Sequence, residues 1–240
     1  MEDRPPDAPA PLPPSDDWPP PPPPPPPVEP PAPVAVIPWE QPGLPWPTAL
    51  IETVKLLLSK PREAFERMPL TGDPLRPLVF AILLGWLGAI FNAIWNLAFK
   101  GVMPAPTAYG GYAMPHHFVL LTALFAPVLI VCVVLVATVI DHLMLMIVGG
   151  AKGGFLATMR VFCYAQATHV IQLLPICGGM IAWVGVLLLT IQGLAVAHRI
   201  SLGKATLAVL LPAVLCCTCV MILAVTVGAA FLSRLSGMQH

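Results

Sequence analysis

Three ionisable side chains lie inside long apolar stretches of the chain: Asp141, His142 and His169. Charge is costly in hydrocarbon, so an ionisable residue at membrane depth is a candidate functional residue. Imidazole binds metals and titrates near neutral pH, so His142 and His169 could form a metal site or a proton relay together with His198. The sequence thus offers Asp141, His142 and His169 as a candidate intramembrane or interfacial polar site.

Structural roles account for the same residues, and we favour them. Asp141 lies near the end of its apolar stretch, where its carboxylate could pair with Lys152 or Arg160. His169 has glutamines nearby and could form hydrogen bonds between helices. We therefore predict no metal site and no cofactor.

Enzymatic chemistry has little support in the sequence. The serines lie outside or at the margins of the apolar stretches, so an intramembrane serine nucleophile has no candidate. No second intramembrane carboxylate accompanies Asp141, and no phosphate-binding loop follows a strand. We predict a protein without catalytic residues and without a nucleic-acid partner.

Small residues mark a helix-packing face. Gly85 and Ala89 belong to a series of small residues at every fourth position, which lets a second helix approach closely. Asn92 and Asn96 lie one turn apart and could form hydrogen bonds across a helix interface. The sequence does not separate packing within one chain from packing between two.

The composition is typical of an integral membrane protein. The chain is 57% hydrophobic and 10% charged, unlike a soluble domain. A hydrocarbon core of about 30 Å needs about 20 apolar residues in a helix. We predict an all-α membrane protein in which residues 77–235 form a five-helix transmembrane bundle. The predicted spans are 78–99, 118–148, 160–176, 180–197 and 205–232. The third is short and polar, which leaves four crossings as the alternative.

Two segments precede the bundle. Residues 1–47 hold more than half of the 32 prolines and too few large apolar residues for a core, which predicts a disordered proline-rich tail. The run 19–27 could bind a proline-recognising module or act as a stiff spacer. Residues 48–76 combine an apolar face with several basic residues, which predicts an amphipathic segment in the lipid headgroup layer.

Positive charge orients the predicted spans. Basic residues precede the first span and lie between the second and third and between the fourth and fifth, whereas the alternate connections hold little charge. Loops rich in Lys and Arg stay in the cytoplasm. We predict a cytoplasmic N-terminus and an external C-terminus.

Several motifs resemble the Yip domain, named for Ypt/Rab-interacting proteins. The matching motifs are a glycine-rich turn that contains Gly149 and Gly150, and a following stretch that contains Arg160 and Tyr164. The resemblance covers about residues 48–235 and implies five spans with a cytoplasmic N-terminus. The eukaryotic signature Asp-Leu-Tyr-Gly-Pro is replaced by Asp-Pro-Leu-Arg-Pro at 73–77. The chain is therefore most similar to prokaryotic members, which places it in a bacterial inner membrane and argues against a Rab partner.

Two functions remain open from the sequence. The first is a membrane scaffold or trafficking factor that contacts lipids and other membrane proteins, including copies of itself. The second is a small channel or transporter that uses the polar residues of the third span.

Overall fold

The computed structural model describes residues 36–99 and 115–237. Within these ranges every regular element is a helix. The α-helices are α1 (Trp46–Ser59), α2 (Pro61–Glu66), α3 (Leu75–Ala98), α4 (His116–Ile147), α5 (Gly154–Ala165), α6 (Gly178–Ala197) and α7 (Leu202–Gly237). Two 3-10 helices, here called the N-terminal and the long 3-10 helix, span Pro38–Glu40 and Gln166–Leu173.

Four helices in the described ranges are long and apolar enough to cross a membrane. They match the predicted first, second, fourth and fifth spans, which confirms a multi-pass helical membrane protein. Their limits by length and hydropathy are Leu75–Ala98, His117–Ile147, Gly178–Ala197 and Leu202–Cys219.

The predicted third span is not a single regular helix. The region begins with α5 at Gly154, six residues before the predicted start, and changes to the long 3-10 helix at Gln166. Thr168 shows why the backbone deviates here, because its Oγ1 donates to the carbonyl oxygens of Ala165 and Ala182 at 3.2 and 3.1 Å. Side-chain hydroxyls that bond to nearby carbonyls compete with regular helix geometry.

The long 3-10 helix packs closely between α3 and α6. A methyl group added at Gly178 of α6 would lie 2.5 Å from the carbonyl oxygen of Ile171. On the other side, one added at Gly88 of α3 would lie 3.0 Å from Cβ of His169. These glycines let backbones approach where any larger residue would clash, as is common between membrane helices.

The predicted boundary of the disordered tail at residue 47 is wrong for residues 36–47. Ile37 is fully buried, and its N–H donates to the carbonyl oxygen of Arg67 at 3.1 Å. The ring of Trp39 packs edge-on against Phe80, and its Nε1 donates to the carbonyl oxygen of Arg76 at 2.7 Å. Apolar side chains within a proline-rich segment thus dock this part of the chain on the bundle. The remainder of the predicted tail, including the run 19–27, lies outside the described residues.

The amphipathic segment folds as α1 and α2, separated at Lys60 as Pro61 predicts. The face of α1 that carries Thr53 and Leu57 is buried. Its opposite face carries Ile51, which is 58% exposed. The helix therefore has exposed apolar side chains as well as a face buried against the bundle.

Candidate functional site

A buried ion pair joins the N-terminal 3-10 helix to α5. Nη1 of Arg160 donates to both carboxylate oxygens of Glu40, at 2.6 and 2.9 Å. The side chain of Arg160 is fully buried and that of Glu40 is 9% exposed. An unpaired charge in such a place is strongly destabilising, so each of these residues requires the other.

Two further groups complete this pair. The hydroxyl of Tyr164, one turn after Arg160, donates to Oε1 of Glu40. Nη2 of Arg160 donates to the carbonyl oxygen of Asp73 at 2.8 Å, just before α3 begins. We call Glu40, Arg160 and Tyr164 the latch, because they fasten the N-terminal segment and the α2–α3 connection to α5.

A second polar cluster links three helices. Oγ1 of Thr158 in α5 lies 2.9 Å from Nδ1 of His142 in α4 and 2.9 Å from Nε2 of His198 at the end of α6. The N–H of Gly153 donates to Nδ1 of His198 at 2.9 Å. We call His142, Thr158 and His198 the histidine–threonine chain.

The contact with Gly153 fixes the donor and the acceptor nitrogen of His198. A backbone N–H only donates, so Nδ1 of His198 accepts and its proton sits on Nε2, which then donates to Thr158. The hydroxyl of Thr158 then has its own proton for one of two acceptors, Nδ1 of His142 at 2.9 Å or the carbonyl oxygen of Gly154 at 3.4 Å, according to the tautomer of His142. The imidazole of His198 is thereby held in its neutral form.

Burial and the neighbouring His142 ring lower the pKa of His198 to about 4. The ring is fully buried, and burial disfavours the charged form of an imidazole. His198 is therefore neutral at physiological pH, which agrees with its role as an acceptor from Gly153.

The three residues of the predicted polar site do not converge. His142 joins the histidine–threonine chain, whereas His169 lies in the long 3-10 helix on α3. Asp141 is 7% exposed, but no ion pair in the described parts of the chain joins it to Lys152 or Arg160. The predicted pairing with Arg160 is wrong, because the guanidinium of Arg160 forms its ion pair with Glu40.

His169 instead borders a groove of about 400 Å³ between α3, α4 and the long 3-10 helix. Its Nδ1 is buried without a hydrogen-bond partner among the described residues. Gln166 and Gln172 line the same groove, and apolar side chains of α4 form the opposite wall. The groove thus combines an apolar surface with five hydrogen-bonding side chains, which are those of Asn92, Thr122, Gln166, His169 and Gln172.

The small-residue series packs within the chain. A methyl group added at Gly85 would lie 2.8 Å from Cδ1 of Ile130, so Gly85 permits the close contact of α3 with α4. Ala89 and Asn92 line the groove. Asn96 donates to the side chain of Asn92 at 2.9 Å, and both are exposed. Among the described residues, the asparagines bond along α3 rather than to another helix.

The two motif glycines close the end of α4. Gly149 has φ of +66°, and the N–H of Gly150 donates to the carbonyl oxygen of Leu145 at 2.7 Å. This is a Schellman motif, which favours glycine at the left-handed position. A methyl group added at Gly150 would lie 3.2 Å from Cδ1 of Ile200, so this turn also contacts the α6–α7 turn.

Sequence reasoning missed Glu40 and Thr158. Glu40 lies in a segment that its prolines marked as disordered, although the apolar run at 34–37 and Trp39 beside it indicate a docking point. Thr158 carries no distinguishing signal, because a threonine in a helix is common in any membrane protein.

The Yip1 domain model matches residues 55–225. The chain belongs to the Yip1 domain family. No curated protein and no solved structure matches it. The Yip1 match begins within α1 and ends within α7, so it contains Arg160, Tyr164 and the whole histidine–threonine chain. Glu40 precedes the matched region.

Proposed function

We propose that this Yip1-domain protein is a membrane scaffold that binds other membrane proteins without catalysis. The latch carries the proposal. A buried charge pair fixes the point at which the N-terminal segment meets the bundle. A partner that binds the N-terminal tail of this chain is thereby held near a defined point on the bundle.

The surfaces of the outer helices support the same role. The most apolar stretches of α4 and of Leu202–Cys219 in α7 are each 11% buried, against 33% and 39% for those of α3 and α6. These two stretches are thus largely free to contact lipid or the spans of a partner. Membrane helices associate by packing and by interhelical hydrogen bonds, and exposed Asn92 of α3 could supply one of these.

We propose five crossings, in which α5 and the long 3-10 helix together form the third. At about 1.5 Å and about 2.0 Å of rise per residue, their combined length is about 34 Å, enough for the hydrocarbon core. The arrangement puts the basic connections on one side, which we assign to the cytoplasm of a bacterium. The N-terminus is then cytoplasmic and the C-terminus is outside the inner membrane.

Crosslinking and affinity isolation from native membranes tests the scaffold role. We compare the full chain, a chain without residues 1–35 that keeps Glu40, and a full-length chain in which the proline run 19–27 is replaced by Gly and Ser. The full chain should yield a reproducible set of membrane proteins, and the two altered chains should lose any partner that contains a proline-binding module. Failure of the full chain to capture any reproducible partner would overturn the proposal.

The groove beside His169 favours a second candidate, a small channel or transporter. Hydrogen-bonding side chains inside a span are common along solute pathways. Flux is measured in vesicles that contain the pure protein or its His169→Ala variant. Substantial flux that the substitution abolishes would replace the scaffold role with this one, and equal leak from protein-containing and empty vesicles would remove it.

A further inference from the structure

A cavity of about 710 Å³ lies where α2 meets the turn between α6 and α7. Buried Phe65 and Met68 form part of its wall, together with Ile200. Arg62 and Arg199 lie at its border. The cavity is therefore open and of mixed character, with apolar side chains beside the charged or polar groups of Arg62, Glu66, Gln192 and Arg199, and it lies beside a turn that joins two candidate spans.

Arg199 has an unusual backbone conformation for its residue type. Its φ is +50°, in the left-handed region. The N–H of Ile200 donates to the carbonyl oxygen of Ala195 at 3.0 Å, and that of Arg199 donates to Val196 at 3.1 Å. This Schellman motif at the end of α6 repeats the one at the end of α4, where the corresponding residue is Gly149.

The two turns differ in the residue at the left-handed position, which is Gly149 after α4 and Arg199 after α6. Glycine is the usual residue at this position, because a side chain there strains the backbone. The end of α6 instead carries an exposed arginine, and no carboxylate lies within 4.0 Å of it among the described residues. Strained residues concentrate at functional sites, where the side chain itself is needed.

The neighbouring charges leave the cavity positive. Arg62 is paired with Glu66 at 2.9 Å, and both line the cavity, so their charges offset each other. Arg199 remains as the uncompensated charge on its border. A ligand that fits this arrangement has an anionic group for Arg199 and an apolar part for the accessible side chains of Leu70, Ile200 and Leu202.

We propose that this cavity binds one anionic phospholipid, with its phosphate on Arg199 and the upper part of an acyl chain against the accessible side chains of Leu70, Ile200 and Leu202. Basic pockets at the ends of membrane helices bind acidic lipid headgroups in this way. A phospholipid supplies both required parts in one molecule, whereas free phosphate supplies the charge alone. The proposal is independent of the scaffold role, because it requires neither a protein partner nor the tail.

The test measures the melting temperature of delipidated protein in detergent, with and without added phosphatidylglycerol. Phosphatidylcholine and inorganic phosphate serve as separate ligand controls. The variants are Arg199→Gly, which removes the side chain and relieves the backbone, and Arg199→Lys, which keeps the charge. Lys152→Gln is the matched control, because Lys152 is an exposed basic residue that does not line the cavity.

Without lipid, Arg199→Gly should melt at or above the wild-type temperature, since glycine suits this turn. Phosphatidylglycerol should stabilise the wild type more than phosphatidylcholine does. Its dissociation constant should weaken about tenfold in Arg199→Gly, as expected for one lost charge-assisted contact. Arg199→Lys and Lys152→Gln should retain most of the lipid-dependent stabilisation.

Three results would overturn the proposal. Full stabilisation of Arg199→Gly by phosphatidylglycerol would show that Arg199 does not bind it. Equal losses in Arg199→Gly and Lys152→Gln would show a general effect of surface charge. An equal shift with inorganic phosphate alone would show that no lipid is required.

Discussion

Removal of the Glu40 carboxylate should destabilise the bundle strongly. In Glu40→Ala, Arg160 keeps a fully buried guanidinium that has lost its counter-ion, and Tyr164 loses its acceptor. Breaking a buried ion pair from one side costs about 3–5 kcal/mol, because the remaining charge stays desolvated. For a domain of this size that corresponds to a fall of roughly 6–20 °C in melting temperature.

Tryptophan fluorescence in detergent is a suitable assay, since Trp39 lies beside Glu40 and packs against Phe80. Glu52→Ala is the matched control. It breaks a pair with Lys55 in which the two side chains are 48% and 67% exposed, and such pairs contribute at most about 1 kcal/mol. Glu40→Gln should fall between the two, because the amide oxygen still accepts from Tyr164.

A melting temperature for Glu40→Ala within about 2 °C of the control would refute this reasoning. It would mean that Arg160 reaches water or another acceptor once Glu40 is removed, and that the latch does not hold the N-terminal segment. A chain that lacks residues 1–35 should melt like the wild type. A chain that lacks residues 1–47 should melt at or below the temperature of Glu40→Ala, because it also loses the contacts of Ile37 and Trp39.

Three further predictions concern the packing and the histidines. Lowering the pH from about 6.5 to about 4 should remove up to about 3 kcal/mol of the stability that neutral His198 contributes, because the unfolded His198 takes up a proton that the folded state excludes until its pKa of about 4. The difference between the melting curves of the wild type and His198→Asn across that range checks this, and a difference that does not change with pH would contradict it. Thr158→Val should cost about 1–3 kcal/mol, because it leaves His198 Nε2 without its acceptor; an unchanged melting temperature would show that the chain of hydrogen bonds is not needed. Gly85→Leu should prevent the close contact of α3 with Ile130 of α4. We therefore expect a low yield of folded protein on size-exclusion chromatography, and a normally folded variant would mean that α4 can move away.

The sequence predicts the parts of this fold that depend on local pattern. Long apolar stretches give α3, α4, α6 and α7 within a few residues, because burial in lipid depends on length and hydropathy alone. The glycine-rich turn after α4 also follows from local chemistry, since Gly149 must adopt a left-handed conformation.

The sequence does not reveal the contacts that depend on distant partners. Glu40 and Arg160 are 120 residues apart, and no periodicity connects them. Nearness in the sequence suggested Arg160 as a partner of Asp141, whereas Arg160 pairs with the distant Glu40. The 3-10 geometry at 166–173 accompanies the bond of Thr168 to Ala182 and close contacts with α3 and α6, and a local pattern does not contain these long-range contacts.

The most direct test of the account is the topology of the chain. Single cysteines at 109, 152 and 239 in a cysteine-free background are labelled in spheroplasts with an impermeant thiol reagent. Five crossings with a composite third span predict labelling at 109 and 239 and protection at 152 until the membrane is permeabilised. Protection at 239 until permeabilisation would show that α5 and the long 3-10 helix do not cross, and it would contradict the five-span arrangement.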